Sequence, residues 1–170
     1  MNVVPYDPRW AVDFEEERAR LRVALGDVAV RIDHNGSTAV PGLAAKPIID
    51  IQVSVSCLQD AGSYAPVLER LGYVHMRHAD DDRCPFFYRP AQWPHTHHVH
   101  VVEAGGDEER RTLAFRDYLR RHPEAAREYA QLKRDLAAQH DGLTAESREA
   151  YAEAKTSFVN RIVADALRTS

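Results

Sequence analysis

Only two cysteines, Cys57 and Cys84, occur in the 170 residues, and no C-x-x-C spacing accompanies them. That excludes a zinc knuckle and a disulfide framework, and leaves two reduced thiols of the kind a cytosolic protein carries. Basic residues are not in excess either: 22 Lys and Arg stand against 26 Asp and Glu, a formal net charge of −4. A uniformly basic face for duplex nucleic acid is therefore not expected. No apolar run approaches the roughly 20 residues that cross a bilayer, and the opening Met1-Asn2-Val3-Val4-Pro5 lacks the basic and apolar regions of a signal peptide. These absences point to a soluble cytoplasmic protein with no membrane partner. Internal repeats, low-complexity tracts and linkers are also missing, so residues 1–170 are read as a single domain.

What is present is organised around residues 34–56, a Gly36-Ser37-Thr38 turn, a Pro41-Gly42 connector, Lys46 and an apolar strand that carries Asp50. Before it, Asp7-Pro8 starts a helix that Gly26 stops, with Trp10, Phe14, Leu21 and Leu25 inward and Glu15 to Glu17 outward. Val28, Val30 and Ile32 then alternate with Ala29, Arg31 and Asp33, which predicts a strand facing inward through the first set. Between Val40 and Ala45 there is room for one short helical turn at most. Ile49, Ile51, Val53 and Val55 alternate with Asp50, Gln52, Ser54 and Ser56, an apolar face backed by an acid and an amide.

Residues 58–71 read as a helix stopped by Gly72, and residues 73–76 and 86–89 as a hairpin around the acidic Asp80-Asp81-Asp82 loop. Residues 95–102 alternate again, with His98 and His100 on one face and Val99 and Val101 on the other. Three helices follow, from near Asp107, from Pro123, and after the Asp141-Gly142 break. The order predicts an α+β domain, a mixed sheet flanked by helices with a C-terminal helical segment.

Chemistry concentrates in a few positions. A glycine followed by two hydroxyls at a strand end offers N–H and Oγ donors to a phosphate, although such tripeptides are also ordinary turns. Asp50 among Ile and Val needs a cation or donors if it is buried, the other reading being a solvated strand face. His98 and His100, two apart on a strand, point the same way toward one ion or one phosphate, or are simply structural. His95 and His97 fall at the loop end or on the opposite face. Lys155, four residues after Tyr151 and three before Phe158, interrupts an apolar stripe, and Lys133 borders one four residues after Tyr129. Each either snorkels or enters a pocket. Arg110, Arg111, Arg116, Arg120 and Arg121 read as a solvated face.

The motif His34-x-Gly36-Ser37-Thr38-x-Val40-Pro41-Gly42-Leu43-x-x-Lys46-Pro47-Ile48-Ile49-Asp50-Ile51 resembles the signature of the GrpB family. The likeness continues through Thr96-His97-His98-Val99-His100-Val101, Phe115-Arg116-Asp117-Tyr118-Leu119-Arg120, Tyr129-x-x-Leu132-Lys133 and Tyr151-x-x-x-Lys155. It implies a nucleotidyltransferase fold, and similar domains occur fused behind dephospho-coenzyme A kinase, which implies a coenzyme A pathway partner. In the wider superfamily a Gly-Ser turn binds nucleotide phosphate and a D-x-D or D-x-E strand binds magnesium. Carried over, Gly36 and Ser37 match the turn and Asp50 the first acid, while Gln52 stands where the second acid belongs and His98 or His100 where a third would be.

The resemblance and the residues together imply a metal-dependent nucleotidyl transfer to an unidentified acceptor. Gly36, Ser37, Thr38, Lys46, Lys133 and Lys155 would bind the phosphates of a nucleoside triphosphate, and Asp50, His98 and His100 would act as catalytic metal ligands. Imidazole favours zinc or manganese over magnesium, with affinity falling as the histidines protonate below about pH 6.5. Two other readings remain, a nucleotide- or coenzyme-phosphate-binding module without chemistry, and a metal enzyme of another reaction class. The period-2 pattern predicts that Asp50, Gln52, His98 and His100 share one sheet face near Ser37, with the Lys133 and Lys155 ammonium groups beside that cleft.

Overall fold

The computed structural model describes residues 2–169. Its first helix, α1 (Arg9–Leu25), begins where Asp7 accepts the Arg9 amide hydrogen at 2.9 Å. Trp10, Phe14, Leu21 and Leu25 line its inner face, as their spacing predicts. Glu17 departs from the expected outer face. It lies three residues after Phe14 and seven after Trp10, hence on the apolar stripe, and is 4 % exposed. Its burial is compensated by the Tyr73 hydroxyl, which donates at 2.8 Å, by Arg89 at 2.6 Å and by Arg20 at 3.2 Å.

The strand β1 (Ala29–Asn35) corrects the expected phase of Val28, Val30 and Ile32. Val28 belongs to a 3₁₀ turn over Gly26–Val28, and a register shift between Ala29 and Arg31 leaves Val30 52 % exposed while Ala29 and Ile32 are buried. A second 3₁₀ turn covers Ser37–Ala39, earlier than the turn expected at residues 40–45, where Ala45 instead pairs with Val4.

The remaining strands are β2 (Ile49–Val55), β3 (Val74–Met76), β4 (Phe86–Arg89) and β5 (His97–Glu103). They form one mixed sheet in the order β1-β2-β5-β4-β3, with β2 and β5 parallel and every other pair antiparallel. The parallel pair needs a crossover, and it runs through α2 (Ala61–Arg70) and the β3–β4 hairpin. The helix α2 is shorter than residues 58–71, with Leu58 buried ahead of it.

The apolar face, with Ile49, Ile51, Val53, Val55, Val99 and Val101, packs against α1 and α2 to form the main core. Each fully buried aliphatic side chain contributes about 1.5–3 kcal/mol. The opposite face of β2 is not solvated: Gln52 and Ser54 are fully buried, and Gln52 meets Thr112 of α3 (Asp107–Arg121). A second cluster joins Val40 and Leu43 to Leu119 of α3, Tyr129 of α4 (Pro123–Gln139) and Phe158 and Ile162. The last helix is two, α5 (Ala145–Glu153) and α6 (Thr156–Arg168), separated by a turn at Ala154 and Lys155. Tyr151 and Phe158 therefore do not share one stripe, and Lys155 sits at a helix junction rather than inside a helix. The architecture is α+β, and no helix among the described residues is long and apolar enough to cross a membrane.

The Glu17 cluster ties α1 to β4 and to the residue before β3. Replacing the carboxylate by Glu17→Leu strands Tyr73 and two partly hydrated arginines, so urea unfolding should show a loss of about 3 kcal/mol, the lower end for breaking a buried pair. A loss under about 0.5 kcal/mol would mean that the cluster contributes nothing beyond packing.

Candidate functional site

Parallel pairing sets Asp50 beside His98 and Gln52 beside His100, and the two-residue period turns all four to the face away from α1. Asp50 Oδ1 lies 3.3 Å from His98 Nδ1 and 3.7 Å from His100 Nε2. One ligand atom from each of the three side chains falls within 4.8 Å of the other two. Gln52 shares the face but not this cluster. Its Oε1 accepts from Asn35 Nδ2 at 3.1 Å and from the Thr112 hydroxyl.

The far side of each imidazole is held by a residue that strand periodicity did not single out. His98 Nε2 lies 3.1 Å from His95 Nδ1, and His100 Nδ1 lies 3.9 Å from Cys84 Sγ. His95 is buried, stacked on Tyr88 at 4.1 Å, and its pKa is pushed down to about 4 by burial and by His98. Both nitrogens of the His98 ring therefore have partners, Nε2 facing His95 Nδ1 and Nδ1 facing Asp50 at 3.3 Å. His97 points elsewhere, toward the Thr96 hydroxyl at 2.8 Å.

Charge in the cluster is tightly coupled. Burial alone would raise the Asp50 pKa, but hydrogen bonds with His100 and His98 hold it well below the usual carboxylate range. Burial also opposes the charge on His100, yet Asp50 and then Cys84 outweigh it and push the pKa up to about 10. At neutral pH the pair is an imidazolium beside a carboxylate.

The turn that precedes this strand is fitted to it. Gly36 has φ +67°, and a Cβ there would overlap the Asp50 carboxylate and come within 2.9 Å of the Asp50 Cβ. Ser37 lines the main cavity, while the Thr38 hydroxyl is engaged internally, 2.9 Å from His34 Nε2 and 3.4 Å from the Ile48 carbonyl. Thr38 is 3 % exposed and braces the turn.

That cavity, about 720 Å³, also takes in Asp50, His98, His100, Lys46, Lys133 and Lys155. The Lys46 and Lys155 ammonium groups lie 4.5 and 4.6 Å from the Tyr151 ring centre, and Lys133, 3 % exposed, donates to the Ala44 carbonyl and lies 4.8 Å from the Tyr129 ring. Burial pushes the Lys133 pKa down to about 7, with Lys155 and Lys46 adding to it, and burial and Lys46 push Lys155 down to about 8. Lys46 is lowered by burial as well. All three lysines therefore stand at the cleft. Trp93, His95 and Arg148 complete its rim, with Arg148 4.6 Å from the Trp93 ring centre.

A mixed sheet with helices on both faces and a Gly-Ser turn against an acidic strand defines a protein of the nucleotidyltransferase fold. A crystal structure of the Cid1 poly(U) polymerase with Mg 3'-dATP bound superposes with a TM-score of 0.53 at 13 % identity, covering 82 % of this chain and 44 % of that one. At that identity the likeness concerns the fold alone. The chain belongs to the GrpB family, matching the family described as GrpB protein over residues 1–165. The crystal structure of the conserved protein GrpB from Enterococcus faecalis superposes with a TM-score of 0.86 at 35 % identity, over 99 % of this chain and 98 % of that one.

Among sequence relatives, the UPF0157 protein BH1888 of Halalkalibacterium halodurans is 41 % identical over 164 residues, 96 % of this chain and 80 % of the relative. The UPF0157 protein YqkA of Bacillus subtilis is 39 % identical over 82 % of this chain, which spans 40 % of that longer protein. A protein named dephospho-CoA kinase from Mycolicibacterium paratuberculosis is 32 % identical over 84 % of this chain and 41 % of its own length.

Gly36→Ala should lower the unfolding free energy by at least about 1 kcal/mol, from the left-handed backbone alone, and should also move Asp50. A second variant, Asp50→Asn, tests the coupling. Because the folded His100 pKa is raised, its contribution to stability is complete below about pH 6.5, the ordinary value, and is lost as pH rises toward about 10. In nitrogen-15 NMR titration the wild type should keep His100 protonated at pH 7.5, whereas Asp50→Asn should leave it neutral, since Cys84 alone then opposes the effect of burial. A neutral His100 in the wild type would show that the ion pair does not form.

Proposed function

We propose that the larger cavity binds the phosphates of a nucleoside triphosphate, and that the chain is a metal-dependent nucleotidyltransferase-type protein. The observation that carries this reading is the confinement of Lys46, Lys133 and Lys155 in one cleft beside Ser37. Three mutually repelling ammonium groups lose hydration there, and a polyanion relieves both costs at once. The lining of the cavity suits a nucleotide: Lys46, Lys133, Lys155 and Ser37 are joined there by the aromatic side chains of Trp93, His95 and Phe86, the residue types against which a base or other planar group packs.

The Asp50, His98 and His100 set fits a divalent ion of the zinc or manganese type. It offers one carboxylate and two imidazoles, each imidazole oriented from behind by His95 or Cys84, and a neutral Gln52 where a second carboxylate would serve magnesium. When bound, such an ion would polarise a phosphoryl oxygen. The chain's own residues then have separate tasks. Gly36 lets the turn approach Asp50, Ser37 donates to a phosphate oxygen, and the lysines offset the charge of a departing pyrophosphate. The relative named dephospho-CoA kinase makes a coenzyme-like phosphate compound a reasonable member of the ligand panel.

Proton counting tests this reading. At pH 8 Lys133 is mostly neutral and Lys155 about half charged, so a polyanion that favours their charged forms should take up protons on binding. Zinc or manganese must displace the proton of His100 and should release one. Calorimetry of inorganic triphosphate, and separately of each ion, in buffers of different ionisation enthalpy should show these opposite signs. Lys133→Met should weaken triphosphate by about tenfold or more, as expected for a charged hydrogen bond of about 1.5–3 kcal/mol. If triphosphate does not bind, the reading fails. If a labelled nucleoside triphosphate binds but is never consumed, the site is a binding module.

A further inference from the structure

A second cavity, about 320 Å³, lies against the same cluster and shares Ser37, Asp50, Cys84, His100 and Lys155 with the larger one. Its remaining walls come from β1, β2, α3, α4 and α6, and include Gln52, Glu108, Arg111 and Phe115. Asp50 and His100 thus stand between two chambers. The volume is at the lower end of the range for small-molecule sites, about 300–1,000 Å³.

Gln52 is the informative wall. It is fully buried, its Oε1 is engaged by Asn35 and Thr112, and its Nε2 has no hydrogen-bond partner among the described residues. An unpaired buried amide is costly, and natural interiors rarely keep one without a reason. The neighbouring groups narrow the ligand. Glu108 brings a carboxylate and Arg111 a guanidinium braced by Asn160. The rings of Phe115 and Tyr129, edge to face at 5.4 Å, supply an apolar wall.

We propose that this smaller cavity is a second ligand subsite for a small polyhydroxylated molecule, a monosaccharide or polyol, one hydroxyl of which meets the Gln52 amide. Hydroxyls suit the site because each both donates and accepts. One satisfies the Gln52 amide whichever way that planar group is turned, and its neighbours can donate to Glu108 and accept from Arg111. A simple carboxylate suits it less, because it only accepts hydrogen bonds and so cannot donate to Glu108. The location beside Asp50 also gives the subsite a role. If the larger cavity holds a nucleoside triphosphate, as proposed above, the hydroxyl compound is the acceptor, but its binding does not depend on that reading.

The test is an NMR titration of the wild type with glycerol, D-ribose, D-glucose and myo-inositol, with malate as the carboxylate control. The Gln52 side-chain amide signals, assigned by their loss in Gln52→Leu, should shift on addition of at least one polyhydroxylated compound and not with malate. Val159→Phe fills the smaller cavity only, since Val159 lines it and not the larger one. That variant should weaken polyol binding at least tenfold while inorganic triphosphate binds as in the wild type. No shift with any hydroxyl compound, an equal response to malate, or unchanged polyol affinity in Val159→Phe each overturns the subsite. Loss of triphosphate binding alone, with the polyol response intact, would instead count against the function proposed for the larger cavity.

Discussion

The parallel register of β2 on β5 is the constraint on which the rest depends. It sets Asp50 beside His98 and Gln52 beside His100, and a slip of one residue would carry either set to the opposite face. Such a slip would also expose Ile51, Val53, Val99 and Val101, all fully buried against α1 and α2. The hydrophobic core therefore holds the polar cluster in place. Burial that stabilises one face specifies the geometry of the other.

That specification has an electrostatic cost. Asp50 is the one carboxylate among the three-ligand cluster, and it compensates His100 directly while drawing the three lysines toward their charged forms. Even so, the Lys133 and Lys155 pKa values stay low, at about 7 and about 8, so the cleft as it stands holds more positive charge than it can hydrate. The Glu17 cluster on the other side of the sheet is different in kind. There one buried carboxylate meets Tyr73, Arg89 and Arg20 and is fully answered within the fold. An answered cluster is architecture, whereas the cleft, where burial lowers the pKa of three lysines beside Asp50, is where we propose that a ligand binds.

Much of the site was legible because it lies on two strands. Alternation placed Asp50, His98 and His100 on one face, and helical spacing singled out Lys133 at the edge of an apolar stripe and Lys155 in a stripe that proved to be two helices. The readings that failed did so where chain geometry departs from a constant period. A bulge at the start of β1 reversed the phase of Val30, and a turn at Ala154 divided the last helix. Glu17 was hidden because a charged residue beside Glu15 and Glu16 reads as surface, although its position relative to Trp10 and Phe14 is that of the core. His95 and Cys84 were not legible at all. They come from loops, where no period constrains direction, and only packing turns them toward His98 and His100.

The sequence by itself determined the α+β class, the apolar and polar faces of β2 and β5, and the Gly36-Ser37-Thr38 turn at a strand end. Each of these follows from local rules, namely side-chain period and turn chemistry. Tertiary structure decided which groups meet. The crossover through α2 and the hairpin, 42 positions wide from Val55 to His97, brings the histidines to Asp50, and the return of α3 to α6 over that face closes two cavities around it. No periodicity carries such information, because contacts between distant segments depend on how whole layers stack, and on where each buried polar atom then finds, or lacks, a partner.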